Sequence, residues 1–308
     1  MRGAANRKMT GLEPGGDPAM PHLEFIKASG KLLPHIESYY LFRYDAAEID
    51  GIERVDLGQL RFMISGEGTV FFPDGHSEPT RPIMVNGPGT AAATYKMRGP
   101  LHVFGVSLRG IGWKALIGVP AHKVADRIID GEKLFCEQAP LLLERLRSMT
   151  TLEEMVAAIE PLLMMRQQEV KPVPKAHVTF LRVIREWTAT DDPTIEWLYA
   201  RMKAETDMGE RQVQRLCKEY FAGSPTHLKR KFRAIGAAMR IYQGAPLDDV
   251  IGPFADQSHM INEVKHFTGH TPTTLRANID PVLAVTLDNE SFHFLPDVIP
   301  ETVDVRRR

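Results

Sequence analysis

Between Glu210 and Phe221 two interleaved sets of side chains follow helical spacing. Val213, Leu216, Cys217 and Tyr220 recur at i, i+3, i+4 and i+7, which makes one apolar face. Arg211, Gln214, Arg215 and Lys218 keep the same spacing on the opposite face, with Gln212 beside them. Guanidinium, ammonium and amide groups in one exposed stripe suit the edges of guanine and adenine and the phosphates that flank them. Such a stripe also suits any solvated helix, so its neighbours decide. The next helix, GSPTHLKRKFRAIGAAMRIY, opens with Ser224 as cap and Pro225 in the first turn and adds Lys229, Arg230, Lys231 and Arg233, a basic segment expected to hold phosphate. From Arg211 to Arg240 eight basic residues face one acidic residue, a local charge of +7 in a chain whose net charge is -1.

These side chains need a scaffold. A helix over TIEWLYARM ends through KAETDMG, so the basic helix is the second member of a helix, tight turn, helix unit. Further on, Asp256 caps a helix whose Met260, Val264 and Phe267 form a buried stripe, and Thr271-Pro272 stops it. The blocks ERQVQRLCKEYFAGSP (210–225), LKRKFR (228–233) and FADQSHMINEVKHFTGHTP (254–272), with Arg276, resemble the AraC/XylS transcriptional regulators. The resemblance implies an all-helical reader over 176–279 with two helix-turn-helix units and double-stranded DNA as partner. It places Gln257, Ser258, Asn262 and Lys265 outward on a second recognition helix and gives His259 a structural, partly buried position.

Two departures bear on this. The helix that should open the second unit, LDDVIGPF, is about two residues short and carries Gly252-Pro253. Between Ala245 and Ile279 Lys265 and Arg276 meet Asp248, Asp249, Asp256 and Glu263, a charge of -2, so the first unit is expected to dominate phosphate attraction.

Upstream, SYYLFRY, LRFMI, GTVFF and HVFGVSL are short apolar stretches parted by turn formers such as PDG at 73–75 and NGPG at 86–89. They predict a small antiparallel, cupin-like β domain. From Trp113 the period becomes helical, and Thr151 with Glu154 makes a capping box for TLEEMVAAIEPLLMM. RGIGWKALIGVPAHKVADRIIDG (109–131) looks like the sensor-side segment of regulators with a β-rich N-terminal domain, which implies a small-molecule effector or a homodimer. Phe62, Phe72, Tyr95 and Phe104 are candidates to line a cavity, or ordinary core aromatics.

The organisation expected is multidomain: a leader (1–20), a β-rich sensing or dimerising domain with C-terminal helices (21–166), a proline-containing linker (167–175), the DNA reader (176–279) and a tail (280–308) of mixed pattern. The leader lacks the apolar block of a secretory signal, and no apolar run approaches the ~18 residues of a membrane span. Cys136 and Cys217 share no metal-type spacing. A cytoplasmic protein is therefore expected. An enzymatic cupin is disfavoured because His76 and His102 are isolated and Glu67 and Glu78 lack a strand-spaced histidine. No phosphate loop, dinucleotide fingerprint or Gly-x-Ser-x-Gly elbow occurs, so no catalysis, metal or cofactor is expected. RNA polymerase is a further partner of such a regulator. The competing reading is a ligand- or protein-binding module on a regulator scaffold that no longer binds DNA.

Overall fold

The computed structural model describes residues 20–135, 138–168, 172–189 and 194–288. The expected leader, Cys136, residues 169–171 of the linker and 289–308 of the tail lie outside them, apart from Met20. An N-terminal antiparallel β-sheet domain precedes a helical region.

The strands are β1 (His22–Lys27), β2 (Ile36–Tyr44), β3 (Glu48–Glu53), β4 (Gln59–Phe71), β5 (Ser77–Pro79), β6 (Ile83–Asn86), β7 (Ala93–Leu108) and β8 (Ile128–Asp130). They pair in the order β1-β2-β7-β4-β6-β8, with β3 on β7 and β5 on β4. The long β7 pairs with β4 along one edge and divides its other edge between two strands: its first half pairs with β3 and its second half with β2.

Alternation along a strand sends successive side chains to opposite faces, and here both faces are buried. Tyr39 and Leu41, Leu60 and Phe62, and Phe104 and Val106 form one layer, in which Phe62 and Phe104 stack at 5.7 Å. Tyr40 and Phe42, Met63, and Tyr95, Leu101 and Val103 form the other. Register shifts in β4 between Met63 and Glu67 add one residue to the β7 side, which brings even-numbered Val70 onto the same face as odd-numbered Met63.

The first layer is covered by helices of the same domain. α1 (Gly110–Gly112) runs into a wide helical turn over Trp113–Ile117, followed by α2 (Glu132–Phe135), α3 (Gln138–Arg147) and α4 (Leu152–Gln168). Leu142, Leu143, Leu146, Met155, Ile159 and Leu163 supply the apolar face that α3 and α4 turn to the sheet. The expected capping box is formed: Glu154 N donates to Thr151 Oγ1 at 3.3 Å and Thr151 N donates to the Glu154 carboxylate at 3.2 Å.

The helical region comprises α5 (Lys175–Ala189), α6 (Ile195–Thr206), α7 (Glu210–Phe221), α8 (Pro225–Tyr242), α9 (Leu247–Ile251), α10 (Gln257–Thr268), α11 (Pro272–Ala277) and α12 (Pro281–Asp288). Phe180, Ile184, Trp187, Leu198, Met202, Val213, Leu216 and Tyr220 build one core from α5, α6 and α7. Ile241, Val250, Met260, Val264, Leu275, Leu283 and Leu287 build a second from α8 to α12. The tail residues 281–288 are therefore a helix, where the sequence pattern looked mixed.

One buried histidine, His35, and one half-buried histidine, His227, make the fold acid-sensitive. Burial pulls the His35 imidazole down to about 4 against a raising backbone hydrogen bond at Lys31. Burial, with Lys231 and Arg230 nearby, brings His227 to about 4. Both are neutral when folded and titrate near ~6.5 when unfolded. The unfolded chain then binds the extra protons, so their contribution is complete above about pH 6.5 and shrinks as pH falls toward 4. Denaturation midpoints should drop between about pH 6.5 and 4.5, and His227→Phe should flatten that slope. A midpoint independent of pH over that window would overturn the assignment.

Candidate nucleic-acid interface

The first helix-turn-helix is built by local chemistry. Thr194 caps α6 by accepting from Trp197 N at 3.2 Å, and Asp207 ends it in the left-handed region at φ 58°. The chain turns at Met208-Gly209 and starts α7, whose apolar face is fully buried. Arg211, Gln212, Gln214, Arg215 and Lys218 are all exposed. Gln214 donates to Tyr199 Oη at 3.0 Å, and Arg215 pairs with Glu219 at 3.3 Å. No hydrogen bond or ion pair engages the Arg211 or Lys218 side chain among the described residues.

The basic segment of α8 is arranged differently from its sequence expectation as a phosphate-holding surface. Ser224 caps the helix as expected, accepting from His227 N at 3.2 Å. Lys231, however, is 2% exposed and points into the β domain, where its ammonium donates to Asp56 O at 2.6 Å and Gly89 O at 3.3 Å. Burial pulls it down to about 8, against the raising pull of the Asp56 and Asp126 carboxylates. Arg230 and Arg233 converge on Glu263 of α10, at 2.7 and 2.6 Å. Glu263 is itself 2% exposed. Burial would raise its carboxyl, but the two arginines outweigh that and hold it below the usual range. Lys229 lies over the Trp187 ring at 5.7 Å. The cations of this helix thus serve packing: Lys231 joins the helix to the β domain, and Arg230 and Arg233 join it to the second unit.

That second unit opens with only the five residues of α9. Asp256 caps α10, accepting from His259 N at 2.7 Å. His259 lies 2.9 Å from Glu263 and accepts from Ala255 N at 3.3 Å, so its ring is occupied within the unit. Ser258, Asn262 and Lys265 fall at i, i+4 and i+7 as one exposed stripe, with Gln257 beside it in the first turn.

Both second helices are held at their C-terminal ends by the β domain. Phe267 O and His266 O, in the last turn of α10, accept from Val55 N and Ala92 N, each at 2.9 Å. Gly269, at φ +77°, closes this end, where a β-carbon would collide with Ile52. At the end of α7, Lys114 pairs with Glu219, and Lys218 O lies 3.3 Å from His122 Nδ1. The exposed polar side chains Arg211, Gln214, Gln257 and Ser258 sit toward the opposite, N-terminal ends.

The second buried face of the sheet encloses a cavity of about 130 Å³. Of the four aromatic candidates only Tyr95 lines it. Phe62 and Phe104 belong to the opposite layer, and Phe72 is partly exposed beside His76. Sequence reasoning missed the wall formed by Val282, Leu283 and Thr286 of α12. The signal was present in Asp280-Pro281, since Asp280 Oδ1 accepts from Val282 N and Leu283 N at 2.9 and 3.0 Å. Among the described residues no three metal-ligating side chains cluster, and no helix is long and apolar enough to cross a membrane.

A family model for a domain of unknown function, DUF6597, matches residues 24–130, within the β domain. No curated protein sequence matches the chain. Among solved structures, ToxT from Vibrio cholerae O395 is similar at 10% identity, over 76% of this chain and 99% of that one, with a TM-score of 0.41. The same protein bound to (E)-4-(8-methylnaphthalen-1-yl)but-3-enoic acid is similar at 8% identity, over 78% and 100%, with a TM-score of 0.41. The AraC-like transcriptional activator CuxR is similar at 13% identity, over 77% and 92%, with a TM-score of 0.27.

The placement of Lys231 and Glu263 has measurable consequences. Glu263→Gln should lower stability by about 1–3 kcal/mol, the range for hydrogen bonds to charged groups, because Arg230 and Arg233 keep partial access to water. Urea denaturation checks this, and a loss below about 0.5 kcal/mol, typical of surface changes, would mean that the cluster is solvated. Lys231→Ala should destabilise the chain by stranding two buried carbonyls while leaving the salt dependence of any DNA binding unchanged. A shallower salt dependence with unchanged stability would return Lys231 to the phosphate.

Proposed function

We propose that the chain is a cytoplasmic, sequence-specific DNA-binding transcriptional regulator of the AraC type, controlled by a small molecule. The observation that carries this reading is the pair of helix-turn-helix units whose second helices expose polar stripes while their C-terminal ends are fixed. On this reading residues 21–166 sense or dimerise and 176–279 read DNA, with 167–175 between them. Arg211, Gln212, Gln214, Arg215 and Lys218 enter one major groove, and Gln257, Ser258, Asn262 and Lys265 approach a neighbouring one. Lys229, which lies over the Trp187 ring, is on this reading the phosphate contact of α8. The partners are double-stranded DNA and a small-molecule effector, with RNA polymerase and a second copy of the chain as further partners. No catalytic step is involved.

A second reading has its own observation: three of the cations that suggested a nucleic-acid surface, Arg230, Lys231 and Arg233, are spent on internal contacts. It treats the chain as a ligand- or protein-binding module that no longer reads DNA.

Selection of bound duplexes from random DNA with the full chain separates the two. Enrichment of a motif, lost in an Arg211→Ala/Arg215→Ala double variant, supports the regulator, and no enrichment with folded protein supports the module. Arg215→Ala should cost about 1–3 kcal/mol and relax base preference at one position. With Arg211, Arg215, Lys218, Lys229 and Lys265 assigned to DNA on this reading, the slope of log K against log salt should not exceed about -4.5 per chain. A steeper slope would show that the internal ion pairs open on DNA.

A further inference from the structure

The cavity of about 130 Å³ in the β domain has walls of mixed chemistry. Phe42, Met63, Met84, Met97 and Leu101 are part of its apolar lining. Three methionines around one space make an adaptable surface whose sulfurs suit the edge of an aromatic ring. Apolar cavities of about 150 Å³ accept benzene, so this one takes a single six-membered ring and not a long chain.

The polar wall is already balanced. Arg61 pairs with Glu53 and donates from Nε to Tyr40 Oη and Gln59 Oε1, each at 2.9 Å. Gln59 donates in turn to Asp56 at 2.8 Å, and Arg54 lies 4.0 Å from Asp56. Two cations meet two anions, so an entering carboxylate would leave an uncompensated buried charge. One polar group has no such partner. Tyr95 is 7% exposed and lines the cavity, yet its hydroxyl makes no hydrogen bond among the described residues. Its ring sits across the sheet from Gly51, where a β-carbon would fall 2.3 Å from that hydroxyl, so the glycine makes room for it. Burial, with Asp280 and Glu53 nearby, keeps the phenol protonated, so it can both donate and accept.

The remaining wall is α12, which has two buried faces. Val282 and Thr286 look onto the cavity, Leu287 enters the core of the second helix-turn-helix unit beside Met260 and Val264, and Leu283 serves both. An occupant would therefore press on a helix that is itself part of the DNA-reading unit.

We infer that this cavity binds an uncharged monocyclic aromatic carrying one hydroxyl, hydrogen-bonded to Tyr95, and that α12 transmits its presence to the second helix-turn-helix unit. Only the consequence for DNA rests on the regulator reading; the site stands without it. The wider groove of about 520 Å³ lies on other residues, among them Glu67, Lys96 and Arg98, of which Arg98 and Glu67 pair with each other.

Calorimetry on the full chain with phenol, toluene and benzoate tests the site, and amide hydrogen exchange over 282–287 tests the transmission. Phenol should bind saturably, and Tyr95→Phe should weaken it by on the order of tenfold while leaving toluene unchanged. Benzoate should bind more weakly than phenol. Saturating phenol should slow exchange in α12. Absence of saturable phenol binding, equal affinity in Tyr95→Phe, or tighter binding of benzoate would each overturn the assignment of the ligand. Phenol binding with unaltered exchange in α12 would overturn the transmission. These readouts use no DNA, so failure here leaves the regulator reading standing, and failure of the duplex selection leaves the site standing.

Discussion

An α-helix leaves its last carbonyls without intrahelical partners, and when such an end is buried something else must supply the donors. In α10 those carbonyls belong to His266 and Phe267, and the donors are the backbone amides of Ala92 and Val55 in the β domain. Lys231 answers from the helical side, donating to the backbone oxygens of Asp56 and Gly89 in the same two loops. Donors and acceptors run in both directions across this seam, and Phe267, Val55, Ala234 and Ile235 fill the space between them with an apolar cluster. Separation would exchange several of these hydrogen bonds for bonds to water, each worth on the order of 0.5–1.5 kcal/mol net, and would expose the apolar cluster as well. The orientation of the two exposed stripes follows from this seam, because a helix pinned at one end presents the other.

The same seam explains where the positive charge went. Sequence composition weighs Arg230, Lys231 and Arg233 as surface charge, whereas the structure uses one as an interdomain hydrogen-bond donor and two as a clamp on Glu263. That clamp also changes the meaning of the acidic balance in the second unit. Glu263 is neutralised within the molecule, so it neither repels a phosphate as a free carboxylate would nor leaves its two arginines to attract one.

What was legible in the sequence was local. The buried and exposed faces of α7 are set by periodicity within one helix, and the caps at Thr151, Ser224 and Asp256 are set within three residues. The β-sheet and the two helical units follow from such patterns. The role of Lys231 does not, because its acceptor lies 175 residues away and a backbone carbonyl leaves no mark on residue type. Arg230 and Arg233 meet Glu263 across 33 and 30 residues, a pairing that a count of charges cannot see. The split among the aromatic candidates was hidden for a related reason: only the pairing register tells which face of the sheet Tyr95 shares.

The tail helix is where local and long-range constraints meet. The shortened α9 brings a single fully buried residue, Val250, to the core of the second unit, and the Gly252-Pro253 break keeps it from extending. A core with that deficit must be completed from elsewhere or leave a void. Leu283 and Leu287 complete it, and they sit on a helix that Asp280 and Pro281 start at the place where the chain returns to the β domain. The weakness of α9 and the presence of α12 are thus one feature. A unit that lacked apolar surface of its own recruited a helix whose other face closes the cavity, and that shared helix ties the second polar stripe to the interior of the β domain.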